Sequence, residues 1–242
     1  MIPGPGGWHL SPEGAAIHFA ERTAVVADVH LGYEWARGAN GDCVPPHSLA
    51  ETLRKLAAML DRAPVDRLIV AGDLVESPGP CPRTAADVRA LAAWLAGRGV
   101  AFVPMRGNHD PRRIVLPTRI EVAGWTIAHG DRPLTAERTI TGHLHPALRV
   151  DGLNAPCFLV GPSTILLPAF SPNAAGLDVL STPPPWPVGE SPRCIAGLDG
   201  AILDFGPLDA LAARLRPDRR PAELARKSAR RLRIKRSSAN PE

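Results

Sequence analysis

The chain has 242 residues, 45% hydrophobic and 21% charged, enough to bury a sizeable core, and its 49 Gly and Pro, about 20%, stay below the ~25–30% of low-complexity chains. No apolar run approaches the ~20 residues that span a bilayer, and the opening MIPGPGGWHL has neither the basic nor the apolar region of a secretion signal, so a cytoplasmic protein is expected. The formal charge of +4 is uneven: residues 207–242 hold 11 Lys and Arg against 4 Asp and Glu, which leaves 17 against 20, or −3, for residues 1–206.

Apolar runs that end abruptly in polar residues recur from the start and read as buried strands: AVVAD (24–28), LIVAGD (68–73), AFVPMRGNHD (101–110), WTIAHGD (125–131) and TITGHLH (139–145). Between the first two, Ser48 to Arg62 places Leu49, Leu53, Leu56 and Leu60 on one helical face, with Ser48 and Glu51 as a capping box. A second helix is expected over Thr84 to Ala96, with Thr84 and Asp87 as its capping pair and Val88, Leu91 and Leu95 as its stripe. Strand and helix alternate, which predicts a βαβαβ start to an α/β fold.

After His145 the strands shorten, as in CFLVG, STILLPAF, AGLDVL, CIAGL and GAILDF, which predicts a second, more antiparallel sheet packed on the first. The five prolines of STPPPWPVGESPR (181–193) predict an extended surface loop. The chain divides into a body over 1–206 and a tail over 207–242, a short helix (Leu208 to Leu215) followed by a flexible basic run. That run suits both a nucleic-acid-binding arm and a solvated end. Four cysteines, at 43, 81, 157 and 194, form no CxxC pair and read as isolated thiols in a reducing compartment.

Chemistry gathers at the strands' C-terminal ends. Asp28 and His30 follow the first strand, Asp73 the second, Asn108, His109 and Asp110 the third, His129 the fourth, and His143 with His145 the fifth. In an open α/β sheet such ends converge on a ligand-binding crevice. Carboxylate and imidazole donors without thiolates suit a divalent ion such as Mn, Fe or Zn. Seven ligands, those named less His109 and Asp110, exceed what one ion takes, whereas two ions ~3.5–4 Å apart, bridged by a carboxylate, would use them all in hydrolysing a phosphoester.

The order D-x-H, G-D, G-N-H-D, H-G, G-H-x-H resembles the calcineurin-like metallophosphoesterase superfamily, and every block is present in order from Asp28-Val-His30 to Gly142-His143-Leu144-His145. The resemblance implies a two-sheet α/β sandwich flanked by helices, with the active site at the strands' C-terminal ends. It implies that Asp28, His30 and His145 hold one metal, that Asn108, His129 and His143 hold another, and that Asp73 bridges them. His109 is then no ligand; it meets the phosphate or protonates the leaving oxygen, a role suited to an imidazole.

The segments VADVHLGYE, RGNHD, TGHLHPAL and PCFLVGPSTILLPAF are similar to the bacterial PdeM branch of ligase-associated DNA damage response endonucleases, over about residues 8–205. This implies a manganese-dependent phosphodiesterase acting on DNA by metal-activated water, with a helicase or ligase as a partner. The G-D-x-x-D-R-G block of phosphoprotein phosphatases is absent, since Asp73 is followed by Leu-Val-Glu-Ser-Pro. Only 20 residues separate Asn108 from His129 and 13 separate His129 from His143, too few for a capping domain, so a polymer could enter.

The alternatives are a small-molecule phosphodiesterase or nucleotide pyrophosphatase, which the same ligands could serve, and a metal-stabilised nucleic-acid-binding scaffold, which would have no need of His109. Arg106, Arg112, Arg113 and Arg132 adjoin the motifs and are candidates for a phosphodiester backbone. Asp110 and Asp131 adjoin ligands and could orient an imidazole. His9, His18 and His47 fall outside the pattern, and Trp94 and Trp125 are expected in the core.

Overall fold

A computed structural model of the chain describes residues 1–186 and 190–215; the basic run after 215 and three residues of the proline-rich loop lie outside the described residues. The first sheet opens with strands β1 (Ile2–Pro3), β2 (Trp8–Leu10) and β3 (Ala16–His18), which form an antiparallel ribbon leading into β4 (Thr23–Val26). After α1 (Tyr33–Ala39) and α2 (Ser48–Arg62), β5 (Arg67–Val70) lies parallel to β4; after α3 (Pro82–Ala96), β6 (Ala101–Pro104) lies parallel to β5. This is the expected βαβαβ unit.

The second sheet contains β7 (Ile120–Val122), β8 (Trp125–Ala128), β9 (Thr139–Thr141), β10 (Pro146–Val150), β11 (Leu153–Val160), β12 (Thr164–Leu166) and β13 (Leu177–Asp178). Their order is β13-β10-β11-β12-β9-β8-β7, and β14 (Arg193–Leu198) pairs with β11 and β15 (Ala201–Pro207), before the closing helix α4 (Leu208–Leu215). The sheet is mixed, with β8, β9 and β12 parallel. The change of sheet therefore comes at Ile120, earlier than the change of pattern after His145. β8 is as apolar and as buried as β4 and β5, and strand composition does not say which sheet a strand joins.

Period-2 alternation sorts the residues into layers. Ala24 and Val26 of β4, with Leu68 and Val70 of β5, pack under α2 and α3 together with Leu56, Met59, Leu91 and Leu95. Val25, Ile69, Trp125, Ile140 and Phe158 fill the space between the sheets. Leu208 and Leu211 of α4 pack on the outer face of the second sheet beside Cys157 and Cys194. All four cysteines are free, as expected, and Cys157 and Cys194 are buried in the same cluster. Among the described residues no helix is long and apolar enough to cross a membrane.

Neither expected capping pair forms. Ser48 is the first residue of α2; its hydroxyl donates to the buried Glu34 carboxylate, which also accepts the His47 and Ser48 amides at 3.2 and 3.3 Å. Glu34 thus caps α2 from α1, and its charge suits a helix N-terminus. In α3 the helix begins earlier, with Pro82 at the first position, and Asp87 instead accepts the Trp35 indole N–H at 2.8 Å.

Lys55 of α2 donates to the Phe170 carbonyl at 2.8 Å and lies 4.0 Å over the Phe170 ring. It braces the segment from which Ser171 N–H reaches the Asp28 carbonyl at 3.0 Å. Burial, with Arg54 nearby, lowers the Lys55 pKa from 10.5 to about 8. The penalty for charge is full below pH 8 and fades as pH climbs to 10.5, because there the unfolded chain still binds the proton. The stability of the parent relative to Lys55→Met should rise by up to about 3 kcal/mol over that interval in urea melts. A flat difference would contradict a buried ammonium.

Candidate metal centre

The strands β4, β5, β6, β8 and β9 end at one place, where the two sheets meet. The turns that follow are tied together by backbone bonds: Asp28 N–H to Gly72 O at 3.2 Å, His30 N–H to Asp73 O at 3.0 Å and Gly142 N–H to His129 O at 3.0 Å. Asp28, His30, Asp73, His143 and His145 all have φ between 47° and 71°, the left-handed region that non-glycine residues rarely adopt. Such conformations cost of order 1–3 kcal/mol each and persist where surrounding bonds dictate them, characteristically at functional sites. Two motif glycines mark close approaches: a Cβ at Gly107 would strike the Asp73 amide and carboxylate, and one at Gly142 would strike Ala27 and the Asp28 carboxylate.

Each aspartate divides its oxygens between two jobs. Asp28 Oδ2 accepts the His143 amide at 2.8 Å, while buried Oδ1 has no hydrogen bond and lies 3.4 Å from His145 Nε2 and 3.6 Å from His129 Nδ1. Asp73 Oδ1 accepts the His109 amide at 2.8 Å, and Oδ2 points at His129 Nε2, 3.3 Å away. One oxygen of each is thus spent on holding a neighbouring motif in place, and the other is presented to imidazoles.

Among the described residues three groups of candidate ligand atoms result; two contain only expected ligands, and the third joins His30 with Glu76 and His109. In the first, those of Asp28, His30 and His145 lie within 4.8 Å of one another. Neither nitrogen of His30, nor His145 Nε2, makes a hydrogen bond, and the rings of His30 and His145 stand edge to face at 5.2 Å. Buried polar atoms without partners are rare and costly. Here they converge on one point.

The second group joins Asp73, His129 and His143, again within 4.8 Å. His129 Nδ1 is 3.1 Å from the Ala71 carbonyl, which can only accept, so Nδ1 keeps its proton and Nε2 is the nitrogen that takes either a second proton or a cation. Around that Nε2 stand Asn108 Oδ1 at 2.9 Å, His143 Nδ1 at 3.1 Å and Asp73 Oδ2. Burial opposes charge on His129, but Asp73 and Asp28 outweigh it and raise its pKa to about 9. Burial also pushes Asp73 upward, yet His129 and the His109 amide hold it below the usual carboxylate range; burial and then His129 keep His143 low. Electron pairs crowd this volume and favour a positive charge, and the oxygen and imidazole donors without thiolate fit a divalent cation.

His109 stands beside the first group, its ring 5.1 Å from that of His30. Its Nδ1 lies 2.6 Å from the Glu76 carbonyl, which fixes the proton there and leaves Nε2 as the outer nitrogen. The structure thus brings together all eight residues expected to carry the chemistry. It adds one that the sequence reading passed over, Glu76, whose Oε2 lies 2.9 Å from His30 Nδ1 but out of line for a hydrogen bond. Three residues after Asp73, Glu76 has no motif to mark it. Only the pairing of Leu31 with Val75, and Glu76 N–H to Leu31 O at 3.0 Å, brings it to His30.

Asp110 does not orient an imidazole. Its buried carboxylate accepts the Gly107 and Val75 amides at 2.8 and 3.3 Å and shapes the loop that carries Asn108 and His109, burial raising its pKa against those bonds. Asp131 lies 3.7 Å from Arg132. The histidines outside the pattern sit elsewhere: His9 against Phe19, His18 against Trp8, and His47 on Asn173.

Two sheets that place histidines, aspartates and an asparagine at their shared edge define a metallophosphoesterase, and the family model of the calcineurin-like phosphoesterases matches residues 21–155, spanning all five motif blocks. The chain belongs to that family and is a metal-dependent phosphoesterase, a hydrolase. Among solved structures it is similar to Pseudomonas putida nuclease MPE, with a TM-score of 0.65 and 23% identity, over 84% of this chain and 98% of that one. The likeness covers the two-sheet fold.

Proposed function

We propose that the chain is a dinuclear-metal phosphodiesterase that cuts nucleic acid, a DNA endonuclease with manganese as its favoured ion. The observation that carries this reading is the convergence of Asp28 Oδ1, His30 and His145 Nε2, buried and without hydrogen bonds, beside a second group of lone pairs around His129 Nε2. In this reading Asp28, His30 and His145 hold one ion, Asn108, His129 and His143 the other, and Asp73 contacts both. Bound there, the ions would polarise a phosphodiester and lower the pKa of a water. The nuclease assignment is supported by the named activity of the structural neighbour, and the DNA damage response role by the sequence resemblance to the PdeM branch.

The protein's own part is positioning and proton transfer. The Ala71 and Glu76 carbonyls fix the tautomers of His129 and His109. With Nδ1 committed to Glu76, His109 Nε2 is the nitrogen that can donate to a leaving oxygen. A scaffold would have no use for that arrangement. The deciding experiment compares manganese-dependent hydrolysis of bis-p-nitrophenyl phosphate, p-nitrophenyl phosphate and a circular single-stranded DNA. Cleavage of the diester and the circle is expected; hydrolysis of the small diester alone would give the small-molecule reading, and a preference for the monoester would overturn both.

Glu76 supplies a separable test. Carboxylates beside ligating imidazoles fix their orientation, and their loss typically costs 10–100-fold in metal affinity. Glu76→Ala removes the carboxylate at His30 but leaves the backbone carbonyl that holds His109. Competition with a fluorescent chelator should show manganese binding weakened by that factor, with thermal unfolding of the metal-free protein little changed. Parental affinity would rule the carboxylate out of the site.

A further inference from the structure

A cleft of about 510 Å³ opens on the side of the centre where Asn108 and His129 stand, and both line it. Its other walls bring together Arg106, Arg112, Arg119 and Arg132, four guanidiniums against the two carboxylates of Asp110 and Asp131. The arginines come from the loop between β6 and β7 and the turn after β8, so no single sequence motif contains them. Arg106 is spent on that loop, donating to the Pro111 and Ile114 carbonyls, and keeps its charge. Arg112 and Arg119 are exposed and, among the described residues, form no ion pair with a carboxylate; Arg132 is 84% exposed and 3.7 Å from Asp131. Asp110 is buried beneath the loop and turned to backbone amides.

We infer that this cleft holds the flanking phosphate of a nucleic-acid strand whose scissile phosphate lies at the metal centre, with Arg112 and Arg119 as its principal contacts. The inference rests on the phosphodiesterase reading and deepens it. Residues 1–206 carry −3 overall, so a polyanion reaching the centre needs local positive surface, and the cleft supplies it where the centre opens. Guanidinium is suited to this because its fork of donors matches phosphate oxygens. The same loop exposes Ile114 at 47% and Val115 at 96%, an apolar tip beside the charges. Apolar and cationic surface side by side match a nucleotide, which presents a base and a phosphate, better than a bare inorganic anion.

The test uses the manganese-loaded full chain and the circular single-stranded DNA, with the rate followed over a series of salt concentrations. Arg112→Gln/Arg119→Gln should raise KM for the circle on the order of tenfold per arginine with kcat within about twofold. Each lost phosphate contact should also flatten the log–log salt dependence of kcat/KM by about 0.7. Arg98→Gln, at the opposite end of the sheet where α3 leads into β6, should keep the parental slope. A double variant with the parental KM and slope overturns the cleft assignment while leaving the phosphodiesterase reading intact. A parent that hydrolyses bis-p-nitrophenyl phosphate but spares the circle overturns the cleft as a polymer site. A parent that hydrolyses neither overturns both.

Discussion

Asp73→Ala should lose metal and hydrolysis together. In the proposed reading Asp73 serves both ions: its Oδ2 stands 3.3 Å from His129 Nε2 in one ligand group, its backbone carbonyl accepts the amide of His30 from the other at 3.0 Å, and Oδ1 anchors the amide of His109 at 2.8 Å. Manganese reconstitution of the parent should give about two ions per chain, and the alanine variant should bind the second weakly or not at all. Hydrolysis of bis-p-nitrophenyl phosphate should fall by roughly three orders of magnitude or more, since ion polarisation supplies several kcal/mol and each 1.4 kcal/mol is tenfold. Alanine also strands the His109 amide, which costs about 1–3 kcal/mol of stability. Asp73→Asn separates the two effects, because an amide oxygen still accepts that N–H while the ligating charge is gone. The asparagine variant should melt near the parent and still fail to hold two ions. One tightly held ion with full activity in either variant would refute the bridging assignment.

His109→Ala should do the converse, keeping metal and fold while slowing the reaction. Its ring contacts His30 edge to face and makes its one hydrogen bond to the Glu76 carbonyl, so the variant loses a proton donor and none of the seven expected ligands. Loss of a general acid typically costs 10²–10⁴-fold. That full range is expected on DNA, where the leaving alkoxide is poor, and a smaller loss on the nitrophenyl diester, whose leaving group departs without help. Equal losses on both substrates would point to phosphate binding instead. Unchanged turnover on DNA would remove His109 from the mechanism, and a drop in bound manganese would make it a ligand.

Much of the site was legible because its residues are punctuated by strands. Buried parallel strands are largely apolar runs, so AVVAD, LIVAGD and WTIAHGD announce where the chain leaves the core, and the polar residue that follows each one must stand at the sheet's C-terminal edge. Eight candidate site residues followed from that rule, and the structure places them together. The helices α2 and α3 were legible from their stripes, but their caps were not. Glu34 caps α2 from 14 residues away, and Asp87 serves Trp35 instead of its own helix. Local pairing rules are blind to such partners. Strands β1, β2 and β3 were missed because two or three residues are too short to show a period, and their stability comes from joining β4.

What the sequence determined by itself was the kind of chemistry, through the order and type of its candidate ligands, and the βαβαβ frame that sets the first of them at one edge. Tertiary structure decided which lone pairs meet, how the second sheet brings His129, His143 and His145 to that edge, and which groups surround them. Glu76 and Arg119 are the clearest cases. One reaches His30 only because Leu31 pairs with Val75, and the other joins the cleft only because the loop before β7 folds back beside the turn after β8. Periodicity reports which way a side chain faces within its own element, whereas contacts between loops depend on how separate elements pack, and no local pattern records that.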